Sequence, residues 1–226
     1  HDWKRFSLLL IALAALLAAG LLLNLNIGSV RIHPDRIVQM LFRGMEDSTE
    51  SRILFSIRIP RMLLAAFLGG ALSVSGFLLQ TFFRNPIAGP FVLGISSGAK
   101  LVVGITMIFF ARQLAGASSV ILILAAFAGS LIITTIVLLF SQRIQNMSML
   151  LVIGIMVGYI CSAVTDFCVT FADEHDIVNL TNWSMGTFSG ASWDNVKTAA
   201  IICLPATVGA WLLSKPMSAY ALGEGY

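Results

Sequence analysis

Long apolar runs of about twenty residues, separated by short polar breaks, set the pattern of the chain. An α-helix rises about 1.5 Å per residue, so about twenty apolar residues cross a hydrocarbon core of about 30 Å. Six runs of this kind predict spans at 6–25, 62–83, 91–110, 120–140, 149–171 and 196–213. Runs this long exclude a β-barrel, whose strands alternate over about ten residues. The fold class expected is all-α, a polytopic transmembrane helical bundle.

The 36 residues between the first two spans are more polar but carry a pattern of their own. Pro34 suits a first helical turn, Ile37, Met40 and Leu41 share one face, and Gly44 can end the helix. A short interfacial helix is predicted there. Small residues recur every fourth position in two spans, as Ala65, Gly69 and Ser73 and as Gly154, Gly158 and Ser162. Such stripes let helix backbones approach closely. Pro205 removes a backbone donor inside the last span and predicts a kink unless neighbours satisfy the freed carbonyl.

Composition agrees with a membrane protein: 58% of the 226 residues are hydrophobic and 11% charged, against about 25% charged in soluble domains. The net charge of +3 does not point to nucleic acid, because Lys and Arg are scattered between apolar runs. Cys161, Cys168 and Cys203 lie inside apolar stretches without metal-ligand spacing and read as core residues. With the N-terminus inside, five basic residues fall on inner segments and eight on outer ones, against the positive-inside rule. Lys4 and Arg5 before the first span still favour N-in, and most of the outer excess lies in the loop that carries Arg58 and Arg61.

Gly94-Ile95-Ser96-Ser97-Gly98 fits a nucleophile pattern, but that chemistry needs a strand-to-helix elbow and a histidine base. Ser96 starts a membrane helix, and His1, His33 and His175 lie outside the spans, so no catalytic residue is assigned. No phosphate-binding loop is present in the sequence. Lys100, about two turns into the third span, is expected to snorkel toward the surface.

Arg58-Ile59-Pro60-Arg61 is followed by Gly69, Gly70, Ser75, Gly76 and Gln80. Arg84-Asn85-Pro86-Ile87-Ala88, Pro90 and Leu93-Gly94 then lead to Gly98-Ala99. This stretch resembles the FecCD-type permeases of type II ATP-binding cassette importers, which move iron-siderophore, haem and cobalamin. Trp183, Gly186, Trp193 and Leu222-Gly223-Glu224 extend the match. The resemblance implies a single transmembrane permease domain over 1–226 with about six of the family's ten spans, so that the chain is C-terminally truncated and does not transport alone. It implies a second permease copy in a homodimer, a separate ABC ATPase carrying ATP-Mg, a substrate-binding protein, and a multi-pass place in the bacterial cytoplasmic (inner) membrane. No cofactor or metal is expected in this chain.

Roles follow by the same resemblance. Arg58 and Arg61 would receive acidic residues of the binding protein at the outer mouth. Their guanidinium forks suit carboxylates, although snorkelling or a lipid-phosphate contact accounts for them as well. Asn85, Pro86 and Ile87 would line the inner gate, with Gln142 and Ser148 from the turn joining spans four and five. Ordinary turns are the competing reading. Met156, Tyr159, Thr165 and Asp166 would line the translocation path, and Leu222, Gly223 and Glu224 would couple to the ATPase. An ion-gradient-driven secondary transporter or channel, with Asp166 as its coupling site, is the alternative.

Overall fold

The computed structural model describes residues 2–28, 30–44, 47–110, 119–144, 146–213, 215–217 and 219. Among them are helices and turns and no strand. Helix α1 covers Asp2–Asn26, α2 Pro34–Arg43 and α3 Thr49–Ile53; a π-helical turn at Leu54–Arg58 then joins α3 to α4, Ile59–Phe83. Helix α5, Ile95–Ile105, continues through a second π turn at Thr106–Phe110. The remaining helices are α6 Ser119–Ser141, α7 Met147–Val169, α8 Glu174–Met185 and α9 Trp193–Leu212. Five helical runs are long and apolar enough to cross a membrane: Trp3–Asn26, Thr49–Phe83, Val120–Ser141, Ser148–Val169 and Trp193–Leu212. The sixth, Ile95–Phe110, is shorter, because residues 91–94 belong to the preceding turn.

Two compact units divide the chain, His1–Ala71 with Phe188–Ala206, and Leu72–Thr187 with Thr207–Tyr226. In the first, Leu25 at the end of α1 packs with Ile32, Ile37, Met40 and Leu54. Helix α2 forms as its sequence dictates. His33 is its extended N-cap, Pro34 opens the first turn, and Gly44, at φ +85°, closes it with its N–H on the Met40 carbonyl at 2.8 Å. Ile37 and Met40 are buried, whereas Leu41, expected on the same face, is exposed. Leu64 near the start of α4 packs against Val196 and Ala199 of α9. Helix α9 runs unbroken through Pro205.

In the second unit α5 packs on both α6 and α7. Glycines permit the approach. A Cβ on Gly94, whose φ is +73°, would lie 2.7 Å from the Gly154 carbonyl oxygen and 2.8 Å from the Gly158 Cα. A Cβ on Gly98 would lie 2.9 Å from the Gly129 carbonyl oxygen. The expected stripe in α7 is therefore used at Gly154 and Gly158, while Ser162 is exposed. The stripe in α4 differs, since nothing lies within 4 Å of a Cβ on Gly69. Phe83, Ala88, Leu93, Ile133, Val137, Leu150 and Cys161 form the core of this unit.

Candidate functional site

The first candidate region is built on the π turn before α4. Proline at position 60 has no N–H and cannot continue an ordinary helical ladder. The N–H of Ile59 reaches past Phe55 to the Leu54 carbonyl, which is the π-type bond. The Phe55 carbonyl thus loses its α-helical donor to Leu54, and the donor one residue further on would be the proline. The indole Nε1–H of Trp193 donates to it instead, at 2.9 Å. Nearby, Arg61 Nε–H donates to the Phe188 carbonyl at 3.2 Å, so the stretch from Phe188 to Trp193 is tied at two points to the π turn and the start of α4.

Arg58 and Arg61 have different environments despite their close spacing. Arg58 is 6% exposed. Its Nη1 donates to the Leu25 carbonyl at 2.5 Å and to the Asn26 carbonyl at 3.3 Å, and its Nη2 donates to the Val30 carbonyl. The last carbonyls of a helix have no partner within it and carry its negative dipole end, so a buried cation at this place satisfies both demands. A Cβ on Gly28 would sit 2.6 Å from Arg58 Nη2, which makes room for the guanidinium a reason for glycine there. The fork expected to meet an acidic partner is committed to α1. Arg61 is half-buried, and its Nε–H is engaged by Phe188, which leaves the other guanidinium donors of the five available.

In the second unit the turn after α4 has a defined form. Arg84 adopts φ +48°, the Arg84 N–H donates to the Thr81 carbonyl at 3.2 Å, and the Asn85 N–H donates to the Gln80 carbonyl at 3.0 Å. This is the Schellman pattern, with Pro86 stopping any continuation. Asn85 Oδ1 accepts from the Ile87 N–H at 2.9 Å. Asn146 Oδ1 accepts from Ser148 and Met149 N–H at 3.0 and 3.4 Å, and so caps α7. Phe83, Ala88 and Leu93 pack with Val137 and Leu150, which sets both turns at one end of this unit. Pro86, Ile87, Gln142 and Ser148 are exposed and Asn85 is half-buried.

The four path candidates on α7 separate. At about 100° per residue, Ser162, Asp166, Tyr159 and Met156 share an arc of about 120°. All four are exposed, Tyr159 by 70%. Thr165 faces elsewhere: it is 2% exposed, donates its Oγ1–H to the Cys161 carbonyl at 2.8 Å, and borders Gly104 of α5. It packs α7 on α5 and does not belong with the exposed arc. Leu222, Gly223 and Glu224 lie outside the described residues. Helix α8 was not expected at all. Asp173 before two acidic residues in its first turn, and Gly186 at φ +74° after its last, are the sequence signals that would have found it.

Residues 16–226 match the model of the FecCD transport family. The chain belongs to this family. It is 37% identical over 171 residues to the vitamin B12 import system permease proteins BtuC of Salmonella paratyphi A, Salmonella newport and Salmonella typhi, covering 76% of this chain and 51% of each relative. The chain thus spans about half the length of the curated relatives it matches. A solved chain described as a metal-chelate type ABC transporter in an inward-facing conformation superposes with a TM-score of 0.76 at 24% identity, over 95% of this chain and 67% of that one. That likeness shows a shared fold.

Proposed function

We propose that the chain is the membrane-spanning permease portion, within one permease domain, of an ATP-binding cassette importer for a cobalamin-like or iron-chelate substrate. The observation that carries the reading is the family match over residues 16–226, joined to 37% identity with vitamin B12 import permeases. ATP-Mg binds a separate ATPase subunit, a binding protein delivers the substrate, and two permease copies form the pathway in the bacterial inner membrane.

Chain residues would then divide the work. Arg61 receives an acidic residue of the binding protein, while Arg58 holds the helix end behind it. Met156, Tyr159 and Asp166 present a mixed face of α7 to the path. Asn85, Pro86, Ile87, Gln142 and Ser148 border the inner gate, where two capped turns can move as rigid pieces. Leu222, Gly223 and Glu224 couple to the ATPase. The permease reconstituted in proteoliposomes with its ATPase and binding protein should accumulate cobalamin or an iron chelate only when ATP is supplied. Uptake that persists without the ATPase overturns the reading.

A further inference from the structure

Helix α2 carries more apolar surface than the protein covers. At about 100° per residue, its apolar side chains occupy an arc of about 200° from Met40 through Ile37, Leu41, Pro34 and Val38 to Phe42. Met40 and Ile37 are buried against Leu25 and Leu54, whereas Val38, Leu41 and Phe42 are exposed, Phe42 by 88%. The polar residues Asp35, Gln39, Arg43 and Arg36 fill the remaining arc. Two apolar faces therefore exist, one docked on protein and one open.

The position of α2 says what the open face meets. Arg58 grips the carbonyls of Leu25, Asn26 and Val30, so the connection is pinned to the end of α1 as far as Val30. From Val30 to Pro34 the chain can reach about 14 Å at most, at about 3.5 Å per residue. Met40 and Ile37 then pack beside Leu25, in the last turn of α1. Helix α2 is therefore held beside the end of an apolar helix long enough to cross a membrane. The exposed apolar surface of α1 at Leu22 and Leu23 continues past its end at Ile27 and Val30. Charge agrees: Arg36 is paired with Glu50 at 3.8 Å and Arg52 with Asp47 at 3.1 Å, while among the described residues from Val30 to Gly44 the exposed Arg31 and Arg43 stand against one carboxylate, Asp35.

We propose that α2 is a membrane-interface anchor, in which Val38, Leu41 and Phe42 enter the headgroup–acyl boundary of the bilayer that α1 crosses, while Arg31 and Arg43 meet lipid phosphates. An amphipathic helix with cationic flanks binds such a boundary through its apolar area and its attraction to anionic lipid. The anchor fixes the height of α1's end, and with it that of the π turn that Arg58 ties to α1. It is independent of the importer reading, since no ATPase or substrate is involved.

The test uses nitroxide labels in the full chain after replacement of Cys161, Cys168 and Cys203 by alanine. Labels on Phe42→Cys, Val38→Cys and Gln39→Cys are compared in phosphatidylcholine–phosphatidylglycerol bilayers by collision with oxygen and with a water-soluble nickel chelate. The expected result is an oxygen-to-nickel accessibility ratio several-fold higher at positions 42 and 38 than at 39, rising further with the phosphatidylglycerol fraction. Water-like access at 42 and 38, equal to that at 39, overturns the proposal. So does low access to both reagents at 42 and 38, which would mean that protein covers this face. Either apolar position decides the matter if the other variant fails to insert.

Discussion

At the residue scale, the motif Arg58-Ile59-Pro60-Arg61 joins two cations with different tasks. Removing the Arg58 guanidinium strands the Leu25 carbonyl at a buried contact and those of Asn26 and Val30 at part-buried ones, and an unsatisfied buried group costs about 1–3 kcal/mol. Arg58→Ala is therefore expected to lower the thermal unfolding midpoint of the detergent-purified protein by a few kcal/mol in equivalent stability. Arg58→Lys should recover only part of it, because an ammonium cannot reach the carbonyls as a planar fork does. Arg61→Glu should cost about 0.5–1.5 kcal/mol through the lost bond to Phe188, less than Arg58→Ala, yet weaken binding-protein association in a salt-dependent way. Equal melting losses in Arg58→Ala and Arg61→Glu would contradict this division. The sequence could not separate the two arginines. What separates them is the C-terminus of α1, more than thirty positions away for the bonds to Leu25 and Asn26, together with a π turn whose i→i+5 bond shifts the phase of the helix.

At the element scale, close packing is confined to certain helices. A Cβ on Gly98 would meet Ile133 and the Gly129 backbone, whereas one on Gly70 would meet nothing within 4 Å. Overpacking costs about 1–3 kcal/mol, while replacing an exposed helical glycine by alanine gains up to about 1 kcal/mol in helix propensity. Gly98→Ala should therefore destabilise the isolated chain and Gly70→Ala should not, as read by thermal unfolding in detergent; the reverse order would mean that α5 and α6 do not approach through glycine. The spans were legible because a bilayer demands about twenty apolar residues in a row, a requirement local to the sequence. Helix α2 was legible from Pro34 and Gly44. Helix α8 escaped because its mean hydropathy is unremarkable between two spans, although Asp173 and Gly186 mark its ends. The stripes of small residues are alike in α4 and α7, and the placement of Leu93 and Gly94 against Gly154 and Gly158 shows that the one in α7 carries a close backbone approach.

At the scale of the whole molecule, what matters is how a surface rich in exposed apolar side chains is divided between lipid and the water-filled path proposed above. Helix α1 is one limit: Leu25 is the single buried side chain among those described, and Leu13, Leu16 and Leu17 stand open along it. Such a face suits hydrocarbon. Helix α7 is the other case, since the arc of Ser162, Asp166, Tyr159 and Met156 puts a carboxylate, a phenol and a hydroxyl among apolar neighbours, and polar groups at membrane depth persist where they meet water or protein. If this arc borders the path, a thiol on it will be ionised by water and reactive, whereas a thiol facing acyl chains stays protonated and inert. In a background lacking Cys161, Cys168 and Cys203, Ser162→Cys is expected to react with a membrane-impermeant maleimide in proteoliposomes, and Leu13→Cys is not. Binding protein and ATPase should change the labelling rate at 162 as the path opens and closes, and leave position 13 unaffected. An inert Ser162→Cys that remains as unreactive as Leu13→Cys through the transport cycle would remove α7's exposed arc from the path and return it to lipid or to a helix contact.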